Sequence, residues 1–216
     1  MPGFERFGDL EREELQDVLD NGVLMRYGFD GMRNGHWKAK ALEAELQKTL
    51  ESDYVQLVSN GTSAVSVALA SAGVGAGDEV IMPTFTFVAS FEAILLLGAI
   101  PVLVDIDDTL GLDAKAVEAA ITPKTKAVMV VQMCGSMANM DALSQVCDNH
   151  NLLLVEDACQ AIGGRYNNKP LGSIGDLGCF SFDFVKTVTC GEGGAVITNN
   201  KTYYTNADHF SDHGHD

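Results

Sequence analysis

From residue 54 onward, short apolar runs rich in Val, Ile and Leu alternate with stretches of helical periodicity. "YVQLVS" precedes "GTSAVSVALASAG", "EVIMPT" precedes "FVASFEAILLLG", and "PVLVDID" precedes "DAKAVEAAI". "AVMVVQM" then leads to "MDALSQVCDNH", and "LLLVEDA" to a glycine-rich connection. Strands that are apolar almost throughout are buried on both faces, and with helices between them they predict a mostly parallel sheet covered on each side. The last two runs, "GCFSFD" and "GAVITNN", have no helix between them, so some antiparallel pairing is expected among the seven strands. The fold class is α/β, with a mixed, mostly parallel sheet.

The opening segment differs in kind. "MPGFERFGDLEREELQDVL" reads as an acidic surface helix rather than a cationic, apolar leader. "GVLMRYGFDGMRNG" is a glycine-punctuated loop with two arginines. "HWKAKALEAELQKTL" carries Trp37, Leu42, Leu46 and Leu50 at helical spacing, which predicts a docking face. We therefore expect a helical and loop segment over 1–50 and a sheet domain over 51–216.

Composition narrows the function classes. The 216 residues hold 14 basic and 30 acidic side chains, a net charge of -16 that repels nucleic-acid phosphates and anionic membranes. The apolar run "AILLLGAIPVLV" is too short to span a bilayer and is broken by Gly98 and Pro101. Five cysteines without metal-knuckle or CxxC spacing read as reduced thiols of a cytoplasmic protein. The terminal "HFSDHGHD" gathers histidines and aspartates but lacks a second ligand set, so a solvated loop is expected there rather than a metal site.

Three motifs have chemical potential. "SNGTSA" sets Thr62 and Ser63 at a strand-to-helix turn, where free N–H groups and hydroxyls suit a phosphate, or where Ser or Thr simply caps the helix. "LLLVEDACQA" ends a buried strand in Glu156 and Asp157, which the pleat sends to opposite faces, so they are not a paired acid and base. Asp157 stands where ligands bind in open α/β sheets, and either pairs with a cation or caps the chain locally. "GVGAGDE" follows a helix and precedes a strand, the wrong setting for a dinucleotide loop, so it is a turn. Lys186 lies between an apolar strand and the "GEGG" loop. An anion cradle, a strand-end carboxylate and an amine are the three handles of pyridoxal phosphate: for its phosphate, its ring nitrogen and its aldehyde.

"SNGTSA", "PTFTFVASFEAILLLGAIPVLVDID", "VEDACQAIGG", "GDLGCFSFDFVKTVTCGEGGAVITN" and "SDHGHD" resemble, in order, the pyridoxal-phosphate sugar aminotransferases of the DegT/DnrJ/EryC1/StrS family. The resemblance implies the large domain of a fold type I aminotransferase. It implies that Lys186 carries the cofactor as a Schiff base and Asp157 pairs with the ring nitrogen. Phe87 would stack on the ring, Thr62, Ser63 and Ser181 would hold the phosphate, and Gln160 would lie near the ring hydroxyl. The family's dehydratase branch has histidine in place of the lysine, and Lys186 argues against it. "RYGFDGMRNGHWKAK", "QMCGSMANMD" and "SDHGHD" look like the branch that makes 8-amino-3,8-dideoxy-manno-octulosonate for lipopolysaccharide, with glutamate as donor and an oxo-sugar acid as acceptor. Arg26 and Arg33 would suit such an acid; a nucleotide-linked 4-keto sugar is the alternative acceptor. Family members continue for about as long again, with a small domain and residues that complete a neighbouring subunit's site. A homodimer is expected, and residues 1–216 alone are expected to bind the cofactor weakly without turning over substrate.

Overall fold

A computed structural model describes residues 3–214. After a 3₁₀ turn at Gly3–Arg6 come α1 (Asp9–Asn21), the single turn α2 (Asp30–Arg33) and α3 (Lys38–Thr49). Then follow β1 (Tyr54–Val58), α4 (Gly61–Ser71), β2 (Glu79–Pro83), α5 (Val88–Leu96), β3 (Ile100–Val104), α6 (Ala114–Ala120) and β4 (Thr125–Val131). The chain continues through α7 (Met140–His150), β5 (Leu153–Asp157), the two-residue strands β6 (Arg165–Tyr166) and β7 (Lys169–Pro170), β8 (Leu177–Ser181), β9 (Gly194–Thr198) and α8 (Lys201–Ser211).

Seven strands form one sheet in the order β1-β9-β8-β5-β4-β2-β3. Pairings from β8 across to β3 are parallel, whereas β9 runs antiparallel to both β8 and β1. β9 is thus the one reversed strand, as expected where no helix separates it from β8. The β6–β7 pair, a separate hairpin, was not foreseen within the glycine-rich connection; strands of two residues carry no readable period.

Period-2 alternation shows why the central strands are apolar throughout. Ala127 and Met129 of β4 join Val80, Met82, Val155 and Cys179 in a core under α4 and α5. Val128 and Val130 turn the other way, onto Val117 of α6 and Leu143 and Val146 of α7. A third cluster takes Leu46 and Leu50 from α3 against Val55, Phe180 and Ile197. The docking face of α3 is therefore these two leucines, while Leu42 stays exposed and Trp37 sits half-buried at the N-cap. No residue of α1 is buried, in keeping with an acidic surface helix. The "GVGAGDE" stretch is a turn, in which Asp78 accepts the Gly75 N–H at 3.0 Å and Gly77 has φ of 90°.

This topology positions the site. Since β1 points the same way as the parallel strands, the segments after β1, β2, β5 and β8 all emerge at one edge of the sheet, the edge where open α/β sheets bind ligands. No helix among the described residues is long and apolar enough to cross a membrane.

Candidate active site

At that edge lies a cavity of about 1030 Å³ whose wall includes Thr62, Ser63, Phe87, Asp157, Gln160, Ser181 and Lys186. These residues span 124 positions of sequence (186 minus 62), and the common strand direction is what brings them together.

One end of the cavity is the first turn of α4. The helix cap is Asn60, whose Oδ1 accepts the Ser63 N–H at 2.8 Å and whose C=O accepts Ala64 N–H at 3.0 Å. Capping is therefore not the task of Thr62 or Ser63. The N–H groups of Gly61 and Thr62 have no hydrogen-bond partner among the described residues. Gly61 is required by close approach: a Cβ there would stand 2.7 Å from the Ser181 Cβ and 3.2 Å from the Cys159 Sγ. The glycine lets the α4 terminus meet the end of β8, so Ser181 joins Thr62 and Ser63 on one wall. Amides, hydroxyls and the positive end of a helix dipole make a donor set suited to a phosphate.

Asp157 ends β5 with 7% exposure. Its Oδ2 accepts the Ser90 hydroxyl at 2.7 Å and its Oδ1 accepts the Cys159 N–H at 3.2 Å. No Lys, Arg or His is paired with it among the described residues. A nearly buried carboxylate with only neutral donors favours a cationic group from a ligand. Glu156 points to the other face and has a different job. Its oxygens accept N–H groups of Gly172 at 2.9 Å, Ile174 at 2.6 Å and Gly175 at 2.8 Å, with the Gln132 Nε2 at 3.3 Å. Burial pushes its pKa up, and those N–H groups pull against the shift. Glu156 folds the loop before β8; it takes no place on the cavity wall.

Lys186 sits half-buried in the loop that joins β8 to β9. The loop is closed by Phe182 N–H to Gly193 C=O at 2.9 Å and Cys190 N–H to Phe182 C=O at 3.1 Å. A tight turn within it is set by Lys186 N–H to Asp183 C=O at 2.9 Å, with Asp183 Oδ1 accepting Val185 N–H at 3.1 Å. Burial pushes the Cys159 thiol well above its usual range, the Asp157 carboxylate adds to this, and the Lys186 ammonium opposes it. Amine, thiol and carboxylate thus share one electrostatic neighbourhood. Phe87, the N-cap residue of α5, is 60% exposed on the cavity wall, an aromatic surface without a core to cover it. Gln160 Oε1 accepts the Cys134 N–H at 3.0 Å, which leaves its amide N–H groups as donors.

Sequence reasoning missed Asn60 as the cap, and missed Ser90 and Thr86 behind Asp157. The signal for Ser90 was present: it shares the inward face of α5 with Ala93 and Ile94.

A second cavity, about 750 Å³, lies between α1, the loop after it, α3 and α8, and meets the first at Ser63, Val67, Glu192 and Phe210. Arg26 and Arg33 line it, yet neither stands free for an acidic ligand, which corrects the sequence expectation. Arg33 is 4% exposed and donates to the carbonyls of Met25, Gly28 and Tyr27 while its guanidinium stacks on Trp37. Arg26 is paired with Asp208 at 2.9 Å and Glu43 at 3.6 Å. His209 lies on α8 and His213 just beyond it, while His215 and Asp216 of the "HFSDHGHD" cluster lie outside the described residues. Among the described residues no group of three or more His, Cys, Asp or Glu side chains is placed to hold a metal ion.

The chain matches the DegT/DnrJ/EryC1/StrS aminotransferase family over residues 8–216. It is 44% identical over 214 residues to L-glutamine:scyllo-inosose aminotransferase of Streptomyces griseus, covering 96% of this chain and 49% of that protein. GDP-perosamine synthase of Vibrio cholerae is 40% identical over 190 residues, covering 88% of this chain and 50% of the relative. Among solved structures, a GDP-4-keto-6-deoxymannose-3-dehydratase with a trapped PLP-glutamate geminal diamine superposes with a TM-score of 0.86 at 28% identity, over 96% of this chain and 53% of that one. The chain spans about half the length of these proteins. By sequence match and by fold, it belongs to the DegT/DnrJ/EryC1/StrS aminotransferase family.

Proposed function

We propose that this chain is the cofactor-holding portion of a pyridoxal-phosphate-dependent aminotransferase that moves an amino group from glutamate to an oxo-sugar. One observation supports the reading above the others: an amine, a carboxylate with only neutral partners and a donor-lined helix terminus border the same cavity. When bound, the cofactor supplies an electron sink for the carbanion left by proton loss from the donor's α-carbon. The protein does the rest. Thr62, Ser63 and Ser181 would hold the phosphate with the amides of α4, and Asp157 would accept the ring N–H. Phe87 would cover the ring face, and Gln160 would donate toward the ring hydroxyl. Lys186 would hold the cofactor through its aldehyde, and its Nζ would be the group that takes and returns the proton. Lysine at this position also supports transfer of an amine over dehydration.

In this reading residues 51–216 are the cofactor-binding domain and residues 1–50 a segment packed on it. A C-terminal small domain and a partner subunit complete the enzyme, which works as a cytoplasmic homodimer.

The finer reading is that the acceptor is 3,8-dideoxy-8-oxo-manno-octulosonate, in lipopolysaccharide sugar synthesis. Its support is the three branch-like segments around Arg33, Met133 and His213. A nucleotide-linked 4-keto sugar is the second reading, favoured by the GDP-perosamine synthase relative. Glutamate-driven amine transfer to the two acceptors, measured side by side, decides between them. A third outcome, cofactor bound without transfer to any oxo-sugar, would identify a non-catalytic cofactor-binding module.

A further inference from the structure

The inward face of α5 consists of Ser90, Ala93 and Ile94, the spacing that packs a helix on a sheet. A serine in that stripe is out of place unless its hydroxyl is satisfied, and Ser90 is 1% exposed. It donates to Asp157 Oδ2 at 2.7 Å, and the Thr86 Oγ1 lies 2.8 Å from its oxygen. Ser90 has one hydroxyl proton and the carboxylate takes it, so within that pair of hydroxyls Thr86 is the donor. Thr86 shares its proton with the Phe87 C=O at 3.2 Å, and the same carbonyl accepts the Ser90 N–H at 3.2 Å. The first turn of α5, which carries Phe87, is in this way tied to the end of β5, which carries Asp157.

We propose that Ser90, supported by Thr86, is a positioning residue that sets the plane of the Asp157 carboxylate toward a cationic ring N–H in the cavity and fixes Phe87 relative to it. The inference rests on the reading of the cavity as a pyridoxal-phosphate site. A carboxylate's terminal torsion is broad and gives little orientation by itself. Here each oxygen has one neutral donor, Ser90 on Oδ2 and the Cys159 N–H on Oδ1, so rotation breaks both bonds. Neutral donors have a second consequence. A lysine or arginine in place of Ser90 would orient the carboxylate but also cancel its charge, whereas a hydroxyl leaves that charge to attract the ligand's N–H. The contacts to ring face and ring nitrogen then move as one unit, because Phe87 and Ser90 share one helical turn.

The test uses the purified complete enzyme, not residues 1–216 alone, and pyridoxal phosphate isotopically labelled at the ring nitrogen. Wild type, Ser90→Ala, Ser90→Thr, Thr86→Val and the Thr86→Val/Ser90→Ala double variant are compared. Cofactor dissociation constant, ring-nitrogen resonance, kcat and KM are measured for each. Loss of a hydrogen bond to a charged group corresponds to roughly 10- to 100-fold. Ser90→Ala should lower kcat by that order, weaken cofactor binding about 10-fold and shift the ring-nitrogen resonance toward neutral pyridine, with acceptor KM within about 3-fold. Ser90→Thr should recover most of each. Thr86→Val should move the same quantities less, and should add little in the double variant because the two hydroxyls act in series. Wild-type binding together with a Ser90→Ala resonance and affinity equal to wild type would overturn the role of Ser90 and leave the cofactor reading standing. Equal losses in Ser90→Ala and Ser90→Thr, accompanied by a lowered melting temperature, would also overturn it, since packing alone would then explain the effect. Failure of the wild type itself to take up the cofactor would overturn both.

Discussion

The backbone N–H of Gly3 donates to the carbonyl of Lys186 at 2.8 Å. Beside this bond Phe4 stacks on Phe184, with ring centroids 4.4 Å apart and planes 9° from parallel. The first turn of the chain is therefore laid on the loop that carries the amine. Only glycine fits at the contact, because a Cβ on Gly3 would stand 2.6 Å from the Thr187 carbonyl oxygen and 3.0 Å from the Thr189 methyl. Gly3→Val should lift the turn and loosen the loop, with faster amide exchange over 184–188 and cofactor binding weaker by about 3- to 10-fold. Unaltered exchange would mean that the turn rests on the loop without bracing it.

Lys186 should be the residue that retains the cofactor after borohydride reduction. Peptide mapping is expected to find the pyridoxyl group in the segment between Phe182 and Gly193. Lys169 and Lys201 are the control positions: Lys169 stands on β7 and Lys201 opens α8, and neither lines the cavity. A label on either would remove the central assignment.

Asp157→Asn keeps the side chain's shape but only one of its two hydrogen bonds, because Ser90 and the Cys159 N–H donate to different oxygens and the amide NH2 cannot accept. It also loses the charge that favours a protonated ring nitrogen. Glutamate-dependent transfer should fall by roughly a hundredfold or more while some cofactor still binds. Near-normal transfer in this variant would make the carboxylate structural.

Glu156, its neighbour, should behave oppositely: its loss is expected to show in stability first. Glu156→Ala leaves three N–H groups, one buried and two partly buried, without an acceptor and should cost about 3–5 kcal/mol by denaturant unfolding. Glu156→Gln keeps one carbonyl oxygen and should cost less. Burial raises this carboxyl's pKa above its ordinary 4.5, so the folded state binds the proton more tightly than the unfolded state. The stability from this group is full below the ordinary value and is lost as the pH rises through the folded one. The gap between wild type and Glu156→Gln should accordingly narrow with rising pH, and a gap that widens would contradict the sign.

How far the chain could be read in advance depended on the range of the interaction. Strand and helix order was legible because continuous apolar runs such as "AVMVV" need cover on both faces, and α4 to α7 provide it. The opposite facing of Glu156 and Asp157 followed from the pleat alone. The inward position of Ser90 was legible but its partner was not, because Asp157 lies 67 positions away and a serine in an apolar helix face names no partner by itself. Asn60 as cap was missed for a nearer reason: Thr62 and Ser63 are equally good cap formers by type, and only the backbone geometry chooses among them. The β6–β7 hairpin was hidden by its length.

Arg33 is the sharpest case of a charge whose role could not be read from its loop. Exposed arginines in a glycine-rich loop suggest contact with an anion, but this guanidinium is buried and donates to the carbonyls of Met25, Gly28 and Tyr27. The Asn21 side chain in turn donates to the Arg33 carbonyl at 2.8 Å, and the Trp37 indole donates to the Arg26 carbonyl at 2.6 Å. The loop between α1 and α3 is thus folded around Arg33 rather than offering it outward. Arg33→Ala would strip those carbonyls of their donor and uncover the Trp37 face, at a cost of about 2–4 kcal/mol. Arg33→Lys has one point charge and no planar fork, so it should recover only part of that. If the arginine instead held an acidic acceptor, both variants would raise that acceptor's KM and leave the unfolding midpoint in place. We expect the reverse: a lowered midpoint in urea, with acceptor KM changed by less than about 3-fold at temperatures where the variant is folded.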